Sequence, residues 1–175
     1  MFTLQCTGRL LRRLGVKPGV ANVAAPTTRL GNWHANLIHV GRQQFVLAAS
    51  DKTFLPVLVT AAPNSTLVVR LAGLVGDVLT AIGIPKTVAA AEVAEMSSVA
   101  IAKTNNKQVL GVLVELAGML PFFLDDGASL QEVSLKLADA PCGPLRATAV
   151  SPDRATLELF GVAVPPRAPM RSFRG

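Results

Sequence analysis

The chain has 175 residues, half of them hydrophobic, with a formal net charge of +6 and a mean hydropathy of +0.44. That length makes one domain the default and suffices to bury a substantial core. Two cysteines, far apart and outside any CxxC or HExxH pattern, exclude a disulfide framework and a recognisable zinc motif. The first carboxylate is Asp51. Six basic residues precede it (Arg9, Arg12, Arg13, Lys17, Arg29 and Arg42), and beyond it eleven basic residues balance eleven acidic ones. The net charge therefore belongs to the first 50 residues, which points to an anionic partner.

In chain order, residues 2–6 (FTLQC) predict a short strand. Thr7 is placed to cap a helix over 8–15, with Leu10, Leu11 and Leu14 on one side and Arg9, Arg12 and Arg13 on the other. The Pro-, Gly- and Ala-rich stretch from Lys17 to Thr27 predicts a loop. WHANLIHV, QFVLAAS and TFLPVLVT, separated by Gly41-Arg42 and by Ser50-Asp51-Lys52, predict a three-stranded antiparallel meander. Pro56 inside the third run favours an edge strand or a bulge.

Helices then dominate. Asn64 or Ser65 is placed to cap a long one ending near Gly83, and a shorter one follows around Val88 to Met96. SVAIA (98–102) predicts one more strand. KTNNK leads into a helix from about Gln108 to Leu124. Ser129 and Glu132 have capping-box spacing, and Ser151-Pro152-Asp153 predicts a final short helix through Phe160. Residues 1–160 are expected to form a single α+β domain, a small antiparallel sheet packed against several helices. Residues 161–175, with three prolines and three arginines, are expected to be a flexible tail.

The apolar stretch from Leu67 to Ile84 approaches the length of a membrane span, but Arg70 and Asp77 would be costly in hydrocarbon, and Val109 to Leu124 holds Glu115 and Pro121. Both are expected to be buried helices, with no membrane span. No charged region followed by an apolar one opens the chain, so no secretory signal is read. Cys6 and Cys142 are expected to be reduced, buried thiols of a cytoplasmic protein.

The segment Thr27-Thr28-Arg29-Leu30-Gly31-Asn32-Trp33-His34-Ala35-Asn36-Leu37 resembles a small bacterial family of unknown function. Its members carry the signature TTRLG, then Asp or Asn, then W-x-A-N-L. The resemblance continues through Gly41-Arg42-Gln43-Gln44, Leu55-Pro56-Val57, Lys103-Thr104, Pro141-Cys142-Gly143-Pro144 and Ser151-Pro152-Asp153-Arg154. It departs at Leu113 to Leu120, where LVELAGML replaces a more polar, aromatic stretch. The resemblance implies one domain and brings no activity.

Three constellations suit binding. The first is the arginine face Arg9, Arg12 and Arg13, with Lys17 beyond it. Guanidinium forks suit phosphate oxygens, although a solvated outer helix face would look the same. The second is Arg29, Trp33, His34 and Asn36, where an indole beside polar donors would hold a planar ligand. The competing reading puts Trp33 in the core. On a strand, His34 and Asn36 share the face opposite Trp33, so they mark the better ligand side. The third is Lys103, Thr104, Asn105, Asn106 and Lys107, at a helix start where free N–H groups meet two lysines; simple capping is its alternative.

A Cys–His dyad has no support in spacing, and no metal site or cofactor is expected. The leading reading is a non-enzymatic binding or regulatory domain that engages an anionic partner, nucleic acid first, through its N-terminal basic face. One rival is a protein-interaction module or homo-oligomer using the apolar stretch at Leu113 to Leu120. The other is a small-molecule binder or enzyme whose pocket joins Arg29, Trp33 and His34 to Lys103–Asn106. Thr28-Arg29 and Lys103-Thr104-Asn105 are expected to meet at one end of the sheet.

Overall fold

The structure is a computed structural model that describes residues 1–17, 25–125 and 127–166. Its strands are β1 (Phe2–Cys6), β2 (Trp33–Val40), β3 (Gln43–Ser50), β4 (Pro56–Thr60) and β5 (Val99–Lys103). Its helices are α1 (Gly8–Leu14), α2 (Leu67–Ile82), α3 (Lys86–Glu95), α4 (Lys107–Leu124), α5 (Leu130–Asp139) and α6 (Pro152–Leu159). Most of the expected loop between Lys17 and Thr27, and residues 167–175 of the expected tail, lie outside the described residues.

The strands form one five-stranded sheet in the order β4-β3-β2-β1-β5. The meander is present, with β2 pairing β3 and β3 pairing β4 antiparallel. The sheet is mixed, however, because β1 runs parallel to both β2 and β5. This corrects the expectation of a purely antiparallel sheet. The reason lies in the connections: α1 follows β1 and α3 precedes β5, and helical crossovers return a chain parallel. Pro56 opens β4, an edge strand, where its missing N–H costs no ladder bond.

Both faces of the sheet are covered. Period-two alternation sends Leu4, Cys6, Trp33, Ala35, Val46, Ala48, Val57 and Val59 to one side, where Leu10 and Leu11 of α1, Leu71, Val75 and Leu79 of α2 and Ala89 of α3 pack. Phe45, Leu47, Ala49 and Leu58 face the other side, against Val109, Val112, Leu113 and Leu116 of α4 and Val133 and Leu137 of α5. Cys6 and Cys142 belong to these two separate cores, so they do not meet.

Asn64–Ile82, which is α2 with the 3-10 turn before it, and α4 are each long and apolar enough to cross a membrane. Each lays one side on the sheet, leaving Val69, Val114 and Phe122 exposed. Arg70 spans the start of α2, donating to the carbonyls of Thr60 (2.7 Å) and Pro63 (2.8 Å). Neither Asn64 nor Ser65 caps α2 through its side chain. A short 3-10 turn, Asn64–Thr66, precedes it, and Asn64 donates to the carbonyl of Arg13 instead. Ser129 and Glu132 form the expected capping box.

Candidate functional site

The three parallel strands β2, β1 and β5 point the same way, and Thr7 and the Lys103–Lys107 segment follow the carboxyl ends of β1 and β5, level with the first residues of β2. The N–H of Thr7 continues the ladder to Ala35 (3.0 Å) and that of Thr104 continues it to Cys6 (3.0 Å). From there α1 leaves over one face of the sheet, and α4 over the other. Neighbouring parallel strands whose helices diverge in this way open a crevice at their carboxyl ends.

Side chains at this junction first serve the fold. Thr7 Oγ1 accepts from Leu10 N and donates to Asn36 Oδ1 (2.7 Å). Asn106 Oδ1 accepts from Gln108 N (3.1 Å) and Val109 N (3.2 Å), so two donors at the start of α4 are already engaged. His34 is 1% exposed, and its Nδ1 lies 2.7 Å from Thr104 Oγ1. Burial pushes the imidazole down to about 4, so it is neutral at pH 7. The His34 and Asn36 face is therefore no open ligand surface: α4 packs over that side of β2. Trp33 is fully buried, and its Nε1 has no hydrogen-bond partner among the described residues. The core reading holds for Trp33, whereas the expectation of His34 on a ligand-facing side is corrected by its burial.

The open feature at this end is basic. Arg9, Arg12 and Arg13 are exposed on α1, and Leu10 and Leu11 are buried beneath them. Gly15 ends the helix with φ +66°, and its N–H and that of Val16 bond back to Arg12 and Leu11. This left-handed turn folds Val16 and Lys17 back beside α1. The result is a groove of about 430 Å³ lined by Gly8, Leu11, Arg12, Gly15, Val16, Lys17 and Lys103, with no carboxylate among them. Lys103 comes from the end of β5, opposite Cys6 on β1. Two segments that stand apart in the sequence, the arginine face and KTNNK, thus meet. Asn105 and Lys107 are exposed in the adjoining turn and the first position of α4. Arg42 is exposed at the β2–β3 hairpin tip.

Arg29 does not join them. Thr27 N bonds to Met1 O, which places this loop at the start of β1, whereas Lys103 pairs with Cys6 at its end. The strand between them is roughly 16 Å long at its usual rise. The expected meeting of Thr28-Arg29 with Lys103–Asn105 is thereby corrected, because parallel register carries the two loops to opposite ends. The Arg29 guanidinium lies 5.5 Å from the Phe160 ring centroid.

Sequence reasoning missed what holds that loop. Glu92, on α3 and 4% exposed, accepts from the N–H groups of both Arg29 and Leu30 at 2.9 Å. Asp51 Oδ1 accepts from Asn32 N (3.1 Å), and Asn32 Oδ1 accepts from Thr3 N (2.8 Å). Gly31 has φ +81°, and a Cβ there would lie 2.1 Å from Asp51 Oδ1. No local signal marks Glu92, since α3 lacks a clear apolar stripe. The segment from Thr27 to Asn32 is thus a structural clamp between β1, β2, α3 and the β3–β4 turn.

The model of a family described as Domain of unknown function (DUF6933) matches residues 3–155. The chain belongs to this family. The matched span runs from β1 into α6 and takes in the Glu92 clamp and the basic groove. No curated protein and no solved structure matches the chain.

Proposed function

We propose that the protein is a non-enzymatic binding domain that takes an anionic partner in the groove between α1 and the end of β5. The observation that carries this is the convergence of Arg12, Lys17 and Lys103, from segments far apart in sequence, around one carboxylate-free groove. Arg9 and Arg13 on the same helix extend the positive surface. Cations placed this way favour phosphate and carboxylate oxygens. The reactive side chains support binding over nucleophilic chemistry. Burial pushes the Cys6 thiol up to about 12 and raises that of Cys142, and His34 is held neutral.

Nucleic acid is the polymeric partner proposed first. Titration of the whole protein with single-stranded DNA and with heparin, at several salt concentrations, tests it. The Arg12→Ala, Lys17→Ala, Lys103→Ala triple variant should bind more weakly. Its salt slope should flatten by about 0.7 for each phosphate that the variant no longer neutralises. An unchanged slope would move the site elsewhere, and no binding of any anion at moderate salt would end this reading.

A further inference from the structure

Val16 belongs to two grooves at once. On one side lies the basic groove with Arg12, Lys17 and Lys103. On the other lies an apolar groove of about 220 Å³, whose walls include Leu14, Leu67, Val68 and Ile101. β5 links the two, because Ile101 and Lys103 are two residues apart and so project from the same face of the strand. Val16 itself is 39% exposed and stands at the junction of the two grooves.

We propose that the joined groove binds a single-chain anionic amphiphile, an acyl or alkyl chain ending in a carboxylate or phosphate. The proposal rests on the reading of the basic groove as an anion site, and it names the ligand. The chain lies along Leu14, Val16, Leu67, Val68 and Ile101, where it leaves water; the headgroup meets the three cations. The basic groove alone, at about 430 Å³, already falls within the roughly 300–1,000 Å³ of ordinary small-molecule sites, and the apolar groove beside it adds about 220 Å³ for the chain. Charge selects the end at which the headgroup sits, and the aliphatic lining selects the chain. Val16 and Ile101 give an aliphatic wall rather than an aromatic platform, so a stacked nucleobase gains little there.

The probe is dansyl-labelled undecanoate, titrated into the whole protein and followed by fluorescence. Saturable binding at one site is expected, with displacement by decanoate and decyl phosphate at concentrations about tenfold below those needed for the neutral decanol. Val16→Asp, which puts a carboxylate at the junction, should weaken binding at least about tenfold, and the milder Val16→Ser should weaken it less. Val69→Asp, on the exposed outer side of α2 and outside both grooves, should leave it unchanged. Equal displacement by decanol and decanoate, or indifference to both Val16 variants, overturns the proposal. So does binding only to anionic phospholipid vesicles, which would assign the surface to a membrane. Salt-sensitive heparin binding without probe binding overturns the amphiphile and leaves the anion site standing. Loss of both removes the two together.

Discussion

His34 Nδ1 and Thr104 Oγ1, 2.7 Å apart, join β2 to the β5–α4 turn across the end of β1. A buried neutral imidazole therefore helps to hold the end of the sheet that carries the basic groove. The folded-state value is depressed to about 4 from 6.5. Between those values the unfolded chain binds a proton that the folded chain refuses, so stability rises with pH across that window. On acidification it is lost progressively from about pH 6.5 and levels off below about pH 4. The loss attributable to His34 should be on the order of 2 kcal/mol. Urea unfolding at pH 4.5 and 7 measures it. His34→Gln should remove that part of the difference, and an undiminished pH slope in the variant would assign it to other groups.

Glu92 is expected to be the most sensitive single position of the clamp on Arg29 and Leu30. Glu92→Ala strips the acceptor from two backbone N–H groups and should cost about 2–4 kcal/mol. Glu92→Gln keeps one acceptor oxygen and should cost less. Denaturant midpoints rank the two. If Ala and Gln were equally mild, the clamp would be dispensable.

Two glycines separate backbone strain from steric clash. Gly15 and Gly31 both have positive φ, but of the two only Gly31 faces a neighbour that a methyl group would strike. Gly15→Ala should cost about 1 kcal/mol from conformation alone. Gly31→Ala adds displacement of Asp51 from Asn32, and a loss of more than about 3 kcal/mol is expected. Thermal melts of the two variants decide whether the clash matters.

The two thiols should be silent in the native protein. Cys6 is fully buried and its ionisation is pushed to about 12, while Cys142 is buried in the opposite core. Labelling with an aromatic disulfide reagent at pH 8 should be slow and should match the rate of global unfolding for Cys6. Rapid labelling of Cys6 would reveal a local opening at the end of β1.

What was legible in the sequence was local. The strands at FTLQC and in the meander follow from alternation, and the Ser129 box and the Thr7 cap follow from side chains that bond within one turn. The parallel pairing of β1 with β5 was not legible, since it joins residues 2–6 to residues 99–103 and leaves no mark in either segment alone. The same distance hid the site. Arg12, Lys17 and Lys103 each stand out in the sequence, but only the register of β5 on β1 brings Lys103 to α1 and leaves Arg29 behind. His34 and Trp33 looked like ligand-facing residues because the sequence does not say that the sheet is covered on both sides. Glu92 carried no signal at all, since its partners are backbone N–H groups 63 and 62 positions away.

The position of β1 also sets an order of assembly. It precedes every other described element in the chain, and among the described strands it alone has a parallel neighbour on each side. The meander of β2, β3 and β4 closes through short turns within residues 33–60. The β1 strand, by contrast, waits for a partner made some ninety-three positions after its own last residue, with α1, α2 and α3 intervening. Non-local parallel pairing of this kind is slow to form. A nascent chain thus carries this buried strand bare on one edge until residues 99–103 have been made. Phe2 and Leu4 then belong to the stretch most in need of shelter during biosynthesis.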